Sequence, residues 1–203
     1  MNIFCIEQNY FVHKQEQRNK ISGEPVIFVK PQGSLLPPGA AFSYPGFANE
    51  LYCGCELVLR ICQNGKDLQE RLAGNYYDSI SVGINFTALN NRHELNEEQL
   101  SWEEAKAWNN SSVTSEWKPV IDFRDKSDIN FCLYKNRELV QLGNSGLMIN
   151  DFDAIISGIS KSFPLHTGDL IFTGTPAGMG KLVAGDKLEA FIEDDSLLEF
   201  NIE

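Results

Sequence analysis

GDLIFTGTPAGMGKLVAGDKLEA, residues 168–190, is the stretch on which the reading of this chain turns. Its first part, DLIFTGT at 169–175, is a short apolar run and reads as a buried strand. The strand runs into PAGMG, where Gly174, Thr175 and Pro176 close it in a tight loop. In such a loop, backbone N–H groups and the Thr175 hydroxyl can grip a carboxylate. A turn that needs glycine for its backbone angles accounts for the same residues and is compatible with that role.

Upstream of this stretch, Phe152, Ile155, Ile156, Ile159 and Phe163 fall at helical spacing behind Asp151 and predict one amphipathic helix. Ile129, Phe131 and Leu133 alternate with polar residues up to a turn at Lys135, Asn136 and Arg137. ELVQL then returns, which makes a hairpin. Earlier still, LYCGCELVLRI at 51–61 and SISVGINFTAL at 79–89 read as strands, separated by a helix-like segment, KDLQERLAGNYYD. LNEEQLSWEEAKAW at 95–108 suits a helix with Asn96 as N-cap. Ile3, Phe4 and Ile6 give a first strand, and PVIFVKP at 25–31 a second. The Gly-, Pro- and Ser-rich residues 33–47 read as an ordered surface loop. A last hairpin turns near Asp194 and Asp195, with Leu198, Phe200 and Ile202 on one face. The sum is an α+β, strand-dominated chain with three or four helices and no visible domain boundary, so residues 1–203 are read as one domain.

A length of 203 residues with 42% hydrophobic content supports one sizeable core. The net charge of -11 argues against nucleic acid or an anionic membrane as partner. No apolar run approaches the length of about 18 residues that spans a bilayer. MNIFCIEQNY carries neither the basic start nor the long apolar segment of a signal peptide. Five cysteines, an odd number, read as reduced thiols, and the expected location is cytoplasmic.

Residues 168–190 resemble the fumarylacetoacetate hydrolase family of short, single-domain type. NYFVH at 9–13 is similar to the family's N-Y-x-x-H, and PVIFVKP at 25–31 to its P-x-x-F-x-K-P. ELVLRI at 56–61, VGINFTA at 82–88, AKAW at 105–108 and LVQLGNSGLMI at 139–149 follow in the family's order. The resemblance implies a mixed β-roll with flanking helices and a homodimer. It also implies Mg²⁺- or Mn²⁺-dependent hydrolysis, decarboxylation, hydration or tautomerisation of a small 2-oxo or 1,3-diketo acid, through an enol or enolate.

Carried onto this chain, the resemblance makes His13 and Glu16 an acid–base pair. Three residues apart on a helical turn they share a face, and a carboxylate beside an imidazole orients it and raises its pKa. Lys106 joins them as a catalytic residue. Lys30 and Gly174, Thr175 and Pro176 take the substrate carboxylate. For each lysine the plainer alternative is a solvated surface side chain. Glu7 and Gln8 stand where the family has Gly-Arg, and Leu89 and Asn90 where it has Arg-Asp.

The family's metal ligands are a Glu-x-Glu on one strand and an Asp on another, residues two apart on a strand sharing a face. Here those positions are Gly54, Glu56 and Asn85. One carboxylate of three remains, so the resemblance implies a metal bound weakly or not at all. The alternative is an inactive relative that binds a small carboxylate or pairs with an active paralogue. Cys53 and Cys55 face away from Glu56 by strand parity and read as structural thiols.

Overall fold

The computed structural model describes residues 1–11, 23–88, 103–178 and 180–203. Within them, strands β1 (Ile3–Glu7), β2 (Val26–Lys30), β3 (Leu51–Ile61), β4 (Tyr77–Ala88), β5 (Ser112–Thr114) and β6 (Lys118–Pro119) come first. They are followed by β7 (Asn130–Lys135), β8 (Glu138–Asn144), β9 (Leu170–Phe172), β10 (Gly180–Leu182), β11 (Lys187–Ile192) and β12 (Asp195–Asn201). Three helices accompany them: α1 (Glu70–Ala73), α2 (Glu103–Lys106) and α3 (Phe152–Ser162).

The larger sheet runs β2-β1-β9-β3-β4-β5, with β10 paired to β3 and β6 to β4. Only β1 and β9 pair in parallel; the other pairings are antiparallel. A second, antiparallel sheet runs β12-β11-β7-β8. The mixed, strand-dominated fold expected from the sequence is the fold observed.

Register gives the large sheet two distinct faces, because directly opposed residues point the same way. On one face Phe4, Ile6, Cys53, Cys55, Leu57, Leu59, Ile80, Val82, Ile84 and Phe86 pack into the main core with the second sheet and α3. The other face carries a smaller cluster of Ile3, Cys5, Phe28, Val58, Leu170 and Phe172. That second face also carries the polar residues described below.

Helix α3 forms where its apolar stripe requires it. The Asp151 side chain caps it by accepting from the Ala154 N–H at 2.9 Å. Phe152, Ile155, Ile156 and Ile159 are buried, each burial contributing about 1.5–3 kcal/mol. Phe163 lies just past the helix end, half-exposed, yet its ring still meets Phe4 at 5.5 Å.

Three segments show where local pattern needs the tertiary fold to complete it. The helix-like stretch 66–78 yields only the four residues of α1, because Tyr77 and Asp78 already belong to β4. Of the helix expected over 95–108, the described residues contain α2; the remainder up to 102 lies outside them. The loop at 33–47 is anchored inward as well as exposed. Leu36 and Phe42 are buried, and Phe42 stacks on Phe86 at 4.1 Å. The β7–β8 hairpin turns on Asn136 and Arg137, both with positive φ, as a two-residue hairpin loop requires.

Candidate functional site

β3 and β4 build the centre of the site. Gly54 opposes Asn85 and Glu56 opposes Gly83, so Gly54, Glu56 and Asn85 share the face that carries the smaller cluster. Cys53 and Cys55 are buried on the opposite face, in the main core. Glu56 is only 3% exposed. Its Oε1 accepts from Asn85 Nδ2 at 2.9 Å and its Oε2 from the Gly174 N–H at 2.7 Å. Burial pushes the Glu56 carboxyl up to about 7, although the Asn85 and Gly174 hydrogen bonds and the charges of Lys106 and Lys30 pull it down.

Lys30, at the end of β2, has no solvent exposure. Its ammonium donates to the Ser111 carbonyl at 2.8 Å, the Ser111 hydroxyl at 3.1 Å and the Ser112 hydroxyl at 2.9 Å. A lysine has three N–H bonds, so all are spent within the protein. Burial pulls its pKa down to about 7, helped by Lys106 and opposed by Cys5 and Glu56. Lys106 ends α2, 9% exposed. Its Nζ lies 2.5 Å from Glu7 Oε1 and 4.9 Å from the centre of the Phe28 ring. Neither lysine is the solvated side chain that its type makes commonest.

Strand β9 ends in the loop of residues 173–176. Gly174 has φ +97, a conformation that L side chains avoid, and a Cβ there would stand 2.8 Å from the Asn9 Cβ. Asn9 holds the loop from the other side, donating to the Thr173 carbonyl at 2.8 Å and to the Asn150 carbonyl at 2.9 Å. The Thr175 hydroxyl donates to the Cys55 carbonyl at 2.8 Å, and its side chain fills the space over Gly54.

Gln141 on β8 ties these pieces together. It accepts from the Cys55 N–H at 2.8 Å and donates to the Thr175 hydroxyl and the Pro176 carbonyl, both at 3.0 Å. The sequence reading missed it, although a lone Gln amid the apolar residues of LVQL was a usable signal. It also missed Ser111 and Ser112, whose adjacency gives none. Two buried polar atoms of this region, Asn85 Oδ1 and the Tyr10 hydroxyl, have no hydrogen-bond partner among the described residues. Burial, then the charge of Glu56, drive the Tyr10 pKa well above its usual value.

The structure therefore brings Glu56, Asn85, Lys30, Lys106 and the 174–176 loop to one region. His13, Glu16, Leu89 and Asn90 lie outside the described residues. Among those described, no three His, Cys, Asp or Glu side chains converge as a metal-binding group. Nor is any helix among them long and apolar enough to cross a membrane.

The mixed strand-rich fold has known counterparts. The profile described as fumarylacetoacetate (FAA) hydrolase C-terminal matches residues 2–203, and the chain belongs to that family. It is 32% identical over 202 residues to the mitochondrial oxaloacetate tautomerase FAHD1 of Rattus norvegicus, covering 100% of this chain and 91% of that one. Among solved structures it is similar to the 5-carboxymethyl-2-hydroxymuconate delta-isomerase of Mycobacterium smegmatis. That likeness has a TM-score of 0.89 at 25% identity, covering 99% of this chain and 78% of the other. The fumarylpyruvate hydrolase of Pseudomonas aeruginosa, solved with Mn²⁺ and pyruvate, shares the fold with a TM-score of 0.88. There the identity is 23%, over 100% of this chain and 89% of that one.

Proposed function

We propose that this cleft binds a small 2-oxo acid and promotes its enolisation, with any divalent ion held weakly or not at all. The observation that carries the reading is the convergence of two buried lysines and a buried carboxyl beside the Gly174 loop. Lys106 stabilises the oxygen that becomes negative as the enolate forms. Lys30 contributes its charge while protonated, below about pH 7, since its N–H bonds are spent on Ser111 and Ser112. His13, oriented by Glu16, is the assigned base. Relatives named as a tautomerase and an isomerase support the reaction class.

The donor set does not fit a tricarboxylate metal centre. A hard dication takes six or more oxygens and, for tight binding, several carboxylates. Position 54 offers no side chain, and a Cβ there would sit 2.8 Å from Thr175. Both Glu56 oxygens already accept N–H bonds. Asn85 Oδ1, a neutral oxygen, is the one side-chain oxygen at these three positions without a hydrogen bond among the described residues.

A second reading, binding without turnover or alongside an active paralogue, draws on a specific observation. The Gly174 N–H and the Thr175 hydroxyl, both assigned to the substrate carboxylate, already serve protein acceptors. In either case a homodimer belongs to the proposal, with exposed Leu139 and Leu142 of β8 as apolar surface that a second copy would cover. The free thiols agree with the cytoplasm, and equally with the mitochondrial location named for the rat relative.

Titration calorimetry with 2-oxobutyrate in the presence of EDTA tests the binding step. Saturable binding is expected, at least tenfold weaker in Lys106→Met. Absence of binding, or tight Mn²⁺ uptake that disappears in Glu56→Ala, would sink the proposal.

A further inference from the structure

A cavity of about 610 Å³ opens between the start of β4, residues 120–127 and residues 145–153. Small-molecule sites commonly enclose roughly 300–1,000 Å³. A β-bulge shapes one wall. Arg60 opposes Ser79 and Ile61 opposes Tyr77, so Asp78 is the extra residue and Tyr77 turns to the core face, away from the site. Tyr77 also stands about 25 Å along β4 from Asn85. Val120, Phe123, Met148 and Phe152 give the cavity an apolar surface. Its polar groups are not all satisfied. The Tyr77 hydroxyl and Asp153 Oδ1 are buried with no hydrogen-bond partner among the described residues, and Tyr77 is only 3% exposed. Such groups are uncommon in folded proteins, and each calls for a partner. Lys126 holds its ammonium 5.0 Å from the centre of the Tyr77 ring. Its backbone is fixed, the Lys126 carbonyl accepting from the Ser145 hydroxyl at 2.9 Å. Gly74 leaves open the space that these charges flank: a Cβ there would stand 3.4 Å from Lys126 Nζ and 3.7 Å from Asp153 Oδ1. Burial raises the pKa of the Asp153 carboxyl, Lys126 lowers it and Asp151 raises it again. An ammonium brought to Oδ1 would stabilise the buried charge.

We propose that this cavity is a second binding site, for a zwitterionic α-amino acid with a large apolar side chain. The ligand's ammonium donates to Asp153 Oδ1, its carboxylate accepts from Lys126, and its side chain lies against Val120, Phe123, Met148 and Phe152. The Tyr77 hydroxyl, donor and acceptor at once, serves either charged end. Asp125, Asp151 and Asp153 outnumber Arg124 and Lys126 in the lining, a balance that disfavours an acid without an amine.

Calorimetry on the whole protein with L-phenylalanine tests this, set beside two analogues that each lack one charge. Saturable binding of L-phenylalanine is expected, with N-acetyl-L-phenylalanine and phenethylamine each at least tenfold weaker. Asp153→Asn and Lys126→Met should each weaken L-phenylalanine at least tenfold. Phenethylamine, which has no carboxylate, should bind Lys126→Met no more weakly than wild type, and that contrast separates a lost contact from a damaged fold. Lys106→Met, altered in the cleft on the other face of the sheet, should change the L-phenylalanine affinity less than about threefold. Absence of L-phenylalanine binding to wild type overturns the proposal, as does an N-acetyl analogue that binds equally well. Binding that Asp153→Asn and Lys126→Met leave untouched, or that Lys106→Met abolishes, would place the amino acid elsewhere and overturn it too.

Discussion

Between pH 7 and pH 9 the stability of the protein is expected to rise, and Lys30→Met is expected to abolish that rise. An unfolded lysine keeps its proton to 10.5, whereas native Lys30 gives it up at about 7 because it is buried. Between those values the unfolded chain holds the extra proton, so stability climbs with pH. Two pH units of that slope amount to about 2–3 kcal/mol. Below pH 7 both states are protonated and the cost of burying the ammonium is constant. Above pH 9 the buried thiols of Cys5 and Cys53, pushed up to about 12, reverse the trend, because the unfolded chain loses those protons first.

Glu56 supplies the opposite limb. Its carboxyl titrates at about 7 rather than 4.5, so the native state holds the extra proton between those values and stability falls as pH rises through them. Glu56→Gln should flatten that limb as Lys30→Met flattens the other. Urea denaturation at half-unit steps from pH 4.5 to 9 reads both. A rise above pH 7 that persists in Lys30→Met would place its origin elsewhere.

Gly174→Ala is the second large effect expected. At φ +97 an alanine is strained, and its Cβ would press on Asn9 Cβ at 2.8 Å and the Ile6 carbonyl at 3.1 Å. Strain and overpacking each cost about 1–3 kcal/mol, so a loss of about 2–6 kcal/mol is expected. In a chain of this length that lowers the midpoint of thermal unfolding by roughly 4–24 °C. Gly180→Ala, with nothing within 4 Å of the added Cβ, is the control and should stay within about 0.5 kcal/mol. Equal effects of the two would show that the Gly174 loop is not packed as described.

These effects also mark which parts of the molecule the sequence discloses. Period-two parity in LYCGCELVLRI placed Gly54 and Glu56 together and Cys53 and Cys55 opposite, because a half-buried strand repeats its environment every second residue. Helix α3 was legible for the same kind of reason, at a different period. Lys106 and Glu7 are 99 residues apart, and Gln141 reaches Cys55 across 86. Such contacts are made by tertiary packing and leave no periodic trace. Phe42 went unnoticed because an anchor inside a Gly- and Pro-rich loop has no regular neighbours to reveal it. The burial of Lys30 was likewise hidden, since its acceptors come from Ser111 and Ser112, far along the chain.

On the function proposed for it, this cleft enolises a 2-oxo acid without a tightly held divalent ion. The most direct test is the loss of the C3 proton signal of 2-oxobutyrate in D₂O, followed by nuclear magnetic resonance. Exchange well above the buffer rate is expected from wild type in EDTA, falling at least a hundredfold in Lys106→Met. Exchange no faster than buffer, or exchange that EDTA abolishes and Mn²⁺ restores, would contradict the account.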